Sequence, residues 1–175
     1  MAVPRATPTK GELQRAVNRL YALSLALLRA ETAYEKYHEE ATKLFANGNT
    51  DDELVANLPN LISQLQNNTL IRTGSLLSLY LGVLYSVVEA WRKWKFTDAT
   101  VDTLLQSPFV DDLRRYRNAI FHVSEATDPR IMQWSTQQER VAWAKQLSAA
   151  LRTAILDYHN NLAARVAVHF VSPKQ

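Results

Sequence analysis

Hydrophobic and polar positions recur along this chain with the helical period of 3.6 residues, and almost nowhere with the alternation of a strand. A capping box at Thr9 to Glu12 precedes Leu13, Val17, Leu20, Leu23, Leu27 and Leu28, a pattern that continues to about Phe45 and predicts a long first helix. Its latter half, AETAYEKYHEEATKLF, sets acidic residues beside an aromatic and aliphatic stripe, and NGNT supplies residues that tolerate the left-handed geometry of a helix end. Thr50 with Glu53 opens a short helix that Pro59 interrupts or kinks.

The second long helix starts at Asn68 or Thr69, runs to about Trp94, and is apolar around much of its circumference, which predicts a central position. Its greasiest part, TGSLLSLYLGVLYSVV, lies between Arg72 and Glu89 and falls short of the roughly 20 apolar residues that span a bilayer, so it reads as a buried core helix. A brief segment from Asp98 to Gln106 follows. Ser107 and Pro108 then start a further helix, with Asp111 and Asp112 near the positive end of its dipole. After His122 the composition of VSEATDP marks a loop, and Ser135 with Gln138 opens a last helix reaching about Val168.

Helices this long with connections this short predict an all-α fold, an antiparallel up-and-down bundle of four main helices plus short extra ones. A chain of 175 residues suits one domain over residues 1–175, with flexible ends at 1–8 and 170–175. The 47% apolar and 21% charged composition is that of a folded, helix-rich protein. There is no cysteine, hence no disulfide and no thiolate nucleophile, and the four histidines lack the pairings that hold zinc. Neither a metal nor another cofactor is expected. MAVPRATPTK has no apolar stretch of the secretory kind, which predicts a cytoplasmic protein.

A net charge of +3 is too weak to announce nucleic acid by itself, but it is unevenly divided. From Arg92 onward there are 12 basic and 8 acidic residues, against 8 and 9 before it, so a phosphate ligand would prefer the second half.

That half contains LRRYRNAIFHVSEATDP. Projected at about 100° per residue, Phe109, Leu113, Tyr116 and Ile120 form the core stripe, with Arg117 at its edge on a flank shared with Val110, Arg114 and Phe121. Asn118 and His122, four apart, share another face away from the core. Such a surface calls for a ligand or a partner to cover it. The three residue types are those that metal-free RNA cleavage uses. A histidine takes the proton of a ribose 2′-hydroxyl or gives one to the departing 5′-oxygen, an arginine fork holds the phosphate, and an asparagine orients the imidazole or binds the phosphate. One histidine cannot easily be base and acid in one step, so the set makes chemical sense when two protomers meet. Arg152 to His159 and Arg115 to His122 also fit a loose Arg-to-His spacing. In the first, Thr153 stands where the tight motif has an asparagine, which reads as packing; in the second, Tyr116 follows the arginine and turns inward.

LRRYRNAIFH resembles the signature of the HEPN superfamily, all-helical proteins with an arginine, a polar residue, a few more residues and a histidine at a helix end. The resemblance rests on about ten residues. It implies that two such motifs face each other across a homodimer and form one metal-independent endoribonuclease site, with Arg117, Asn118 and His122 as the catalytic set. It also implies a toxin–antitoxin or antiviral-defence setting, with RNA as substrate and an antitoxin or defence protein as partner. In the branch paired with nucleotidyltransferase antitoxins a tyrosine stands two residues after the histidine; here that residue is Ser124. Other members have lost catalysis, and the corresponding alternative is an inactive helical adaptor that binds RNA, a nucleotide or a protein.

Around this set, Glu89 interrupts an apolar helix and is a candidate partner for Arg117. WRKWKF interleaves Trp91, Trp94 and Phe96 with Arg92, Lys93 and Lys95, which fits either a single-strand RNA platform or a packed bundle end. Arg114, Arg115, Lys93 and Lys95 are candidate RNA-backbone contacts. His38 reads as a surface residue, and Tyr34 and Tyr37 as core or interface fillers.

Overall fold

The computed structural model describes residues 8–45, 69–121, 134 and 137–171. Among these the fold is all-α: α1 (Lys10–Phe45), α2 (Thr69–Lys93), α3 (Ala99–Leu104), α4 (Phe109–Phe121) and α5 (Gln138–Val171). The readings placed on NGNT, on Thr50 to Pro59, on VSEATDP and on Ser135 lie outside the described residues. α5 continues three residues beyond the expected Val168, to Val171.

The helix starts follow the local chemistry. At α1 the Glu12 carboxylate accepts the Thr9 backbone N–H at 2.7 Å while the Thr9 hydroxyl accepts the Glu12 N–H at 3.3 Å, the reciprocal pairing of a capping box. These bonds hold the Glu12 carboxyl below its usual pKa. Asp98 caps α3 by accepting from the N–H groups of Thr100 at 2.9 Å and Val101 at 3.0 Å. The Ser107 hydroxyl accepts the Phe109 N–H at 3.2 Å at the start of α4.

α2 is the central helix, in contact with α1, α4 and α5. By length and composition Ile71–Lys93 could cross a membrane, and half of its most apolar window is buried by neighbouring helices. Leu81, Leu84, Val87 and Val88 are fully covered, and together with Leu23, Leu27, Leu113, Leu147 and Leu151 they form one contiguous core. α1 runs antiparallel to both long partners. Arg19 lies over the Trp94 ring and Tyr34 over Tyr80 on α2, while Ser24 meets His159 at 2.9 Å and Glu31 meets Arg152 at 2.7 Å on α5. The Arg152 and His159 pair is thus engaged in packing α5 on α1.

The end of α2 is closed by aromatics. Trp91 is 1% exposed, and Trp91, Phe96 and Tyr158 form a cluster in which Phe96 and Tyr158 meet edge to face at 4.8 Å. The Tyr158 hydroxyl donates to the Thr97 carbonyl at 3.0 Å. Trp91 and Phe96 are therefore bundle-end packing and cannot serve as a stacking platform for bases, whereas Lys93 and Lys95 remain exposed. Tyr34 and Tyr37 are half-buried, with Tyr34 packed on Tyr80, and His38 is on the surface.

Candidate active site

α4 lies against α2 through Leu113 and Tyr116, which are 0% and 1% exposed. The Tyr116 hydroxyl shares a 3.0 Å hydrogen bond with Ser78 of α2. With these two side chains pointing inward, Arg117 is turned to the flank, where its side chain keeps 33% of its exposure. Val110, expected on that flank, is buried. It sits in the first turn of α4, under the Ser107–Pro108 turn and beside Arg92.

Among the described residues the Arg117 guanidinium has three neighbours. Its Nη1 donates to Asn118 Oδ1 at 3.1 Å, its Nη2 lies 3.8 Å from the Glu89 carboxylate, and its Cζ stands 5.7 Å from the centroid of the Phe121 ring. Arg117 and Asn118, projected onto different faces, are brought together because the long arginine arm wraps around the helix to its neighbour. Nε of Arg117 is buried and has no hydrogen-bond partner among the described residues. Part of the Arg117 side chain stays exposed, and it is there, not at the buried Nε, that a planar anion has access.

Phe121, the last residue of α4, is 58% exposed, and its ring lies over Gly82 of α2, so close that a Cβ there would meet Cε2 at 3.0 Å. The lack of a side chain at Gly82 lets the ring settle onto α2 beside Arg117. His122 follows directly in sequence and lies outside the described residues, so no geometry is assigned to it.

Toward the start of α4 lies a recess of about 420 Å³ lined by Arg92, Ser107, Pro108, Asp111, Asp112 and Arg115, among others. Asp111 is shared by Arg114 at 3.2 Å and Arg115 at 3.9 Å, and Asp112 pairs with Arg140 at 3.1 Å. Arg92 is tied down by one donor, Nη2 to the Leu105 carbonyl at 3.1 Å.

Tyr85 lies one turn before Glu89 on α2. Burial pushes its phenol above the usual range, Glu89 pushes in the same direction, and the charges of Arg114, Arg92 and Arg117 oppose them. The phenol thus lies in the field of three guanidinium groups and one carboxylate. Sequence reasoning singled out Glu89, took Arg92 only as one of the bases of WRKWKF, and missed Tyr85, although Tyr85, Glu89 and Arg92 recur at i, i+4 and i+7 on one face of α2.

The structure places Arg117, Asn118 and Glu89 together, with Arg114 and Arg115 on the same helix and Lys93 and Lys95 at the end of α2. Among the described residues no three histidine, aspartate or glutamate side chains converge in a way that could hold a metal ion. Comparison of the chain with family models, curated proteins and solved structures finds no match.

Proposed function

We propose that this protein is a metal-independent endoribonuclease whose active site is completed by a second copy of the chain. The observation that carries this reading is the state of Arg117. It is partly exposed, bound to Asn118, only loosely paired with Glu89, and retains a buried Nε with no partner among the described residues.

In the proposed reaction the imidazole of His122 removes the proton of the ribose 2′-hydroxyl. The 2′-oxygen forms a bond to phosphorus as the bond from phosphorus to the 5′-oxygen breaks. His122 of the partner subunit supplies the proton to that leaving oxygen, and the products are a 2′,3′-cyclic phosphate and a 5′-hydroxyl end. Arg117 holds the non-bridging oxygens as charge builds on them, and Asn118 fixes the arginine's orientation. Glu89 supports the site by restraining Arg117, while Arg114, Arg115, Lys93 and Lys95 contact the RNA backbone. The HEPN resemblance supports this assignment and suggests a cytoplasmic toxin or antiviral-defence role with an antitoxin or defence-system partner. The alternative, an inactive helical adaptor, predicts binding without turnover.

The test is incubation of the purified chain with single-stranded RNA and with DNA in EDTA. RNA is cut and DNA spared, and His122→Ala abolishes cutting while far-ultraviolet circular dichroism stays the same. Cleavage that survives His122→Ala overturns the proposal.

A further inference from the structure

The cleavage step above gives no role to Phe121, although this side chain is 58% exposed and stands beside Arg117. Trp91, Phe96 and Tyr158 are consumed in closing the bundle end, so WRKWKF offers no ring to a base. Phe121 does. Two contacts fix its ring. A Cβ at Gly82 would stand 3.0 Å from Cε2 and 3.5 Å from Cζ, the only two ring atoms within 4 Å, so α2 meets the ring at an edge and not across a face. The Arg117 guanidinium stands over the ring, its Cζ 5.7 Å from the centroid. Neither contact covers the face turned away from Arg117.

We propose that Phe121 is a stacking platform for an unpaired base adjoining the phosphate held by Arg117, which makes unpaired strand the substrate class of the site. This inference rests on the reading of Arg117 as the group that holds the scissile phosphate. What covers the ring must also suit its neighbour. An apolar surface laid over Phe121 would strip water from a guanidinium whose carboxylate partner lies 3.8 Å away, a costly burial of a loosely paired charge. A nucleotide covers the ring with a base and supplies the guanidinium with a phosphate in the same event. The ring rests on the backbone side of α2 at Gly82, in the central helix of the bundle, so little freedom is lost when a base settles on it. Stacking on a plain phenyl ring reads no hydrogen-bonding pattern, so the platform discriminates weakly among bases. It discriminates strongly against duplex, whose bases are already stacked and have to be extruded before they reach the ring.

The test uses the full chain carrying His122→Ala, so that no substrate is consumed, with a fluorescently labelled single-stranded RNA octamer and the same ribose–phosphate octamer without bases. Affinity is read by anisotropy across a salt series. In that background the octamer with bases binds about tenfold tighter than the one without. Phe121→Leu, which keeps an apolar side chain but no π-face, abolishes that difference by weakening the first octamer alone, and leaves the slope of log affinity against log salt unchanged. Phe121→Trp preserves the difference. Arg117→Ala behaves oppositely, weakening both octamers alike and reducing the slope by about 0.7, the loss of one phosphate contact on a single strand. Unchanged binding in Phe121→Leu, an equal loss on both octamers, or a tryptophan variant as weak as the leucine one overturns the platform. So does a Phe121→Leu chain that no longer sediments as the parent does, because the ring would then pack against a second copy. An Arg117→Ala variant with unaltered affinity and slope brings down the reading of Arg117 alone, and the base-dependent loss at Phe121 still upholds the stacking.

Discussion

Arg117 of α4 and Glu89 of α2 face each other at 3.8 Å, beyond the distance of a charge-assisted hydrogen bond, with 33% and 49% of their side chains exposed. The carboxylate sets where the guanidinium rests without saturating it. Replacing Glu89 by Gln removes a negative charge beside the phosphate site and loosens the arginine's placement. In the His122→Ala background, Glu89→Gln is expected to tighten RNA binding about two- to threefold by anisotropy, and in the otherwise wild-type chain to lower kcat. Weaker binding would show that Glu89 organises the site more than it competes with the ligand.

Gly82 and Phe121 give a second prediction. A methyl group at position 82 would lie 3.0 Å from the Phe121 ring, which is exposed enough to swing away. Alanine also favours a helix over glycine by about 1 kcal/mol. Gly82→Ala should therefore leave the melting temperature equal or higher, while displacing the ring from Arg117 and weakening RNA binding. A large drop in melting temperature would show that the ring is fixed by packing.

The response to pH follows from two groups of opposite sign. The Thr9 bonds depress the Glu12 carboxyl, so their contribution is present above about pH 4.5 and is lost as pH falls through the lowered folded value. Burial raises the Tyr80 and Tyr116 phenols, each opposed by a hydrogen bond, from Ser148 and Ser78 respectively. Their contribution is full below about pH 10 and disappears as pH rises through the elevated folded values. Protection of the amides at the start of α1, measured relative to their intrinsic exchange rate at each pH, should fall as pH drops below about 4.5. Thermal melts should fall steeply above about pH 10, and Tyr116→Phe should reduce that alkaline loss. A flat alkaline profile would contradict the burial of these phenols.

Much of the fold was legible because its helices carry strong local signals. The capping box at Thr9, the start of the brief segment at Asp98 and the Ser107–Pro108 start each name a boundary to within a residue or two. The inward stripe of α4 was equally legible, since Leu113 and Tyr116 follow the helical period. Tyr85 escaped notice, and Arg92 was seen only as a base of WRKWKF, because their relation to the arginines of α4 arises only once α4 is laid against α2, and that pairing is a tertiary fact. Arg117 and Asn118 were separated on paper because a wheel shows where a side chain leaves the helix and not how far an arginine can reach.

The central claim is that two copies of the chain bring their RNAIFH segments together. Because the sequence contains no cysteine, His122→Cys introduces a single thiol per chain. Mild oxidation of this variant at micromolar concentration should yield a disulfide-linked dimer as the main product, since the two thiols would lie within bonding reach across the interface. A variant that remains monomeric under oxidation, or that cross-links no faster than the same chain in denaturant, would contradict the composite site.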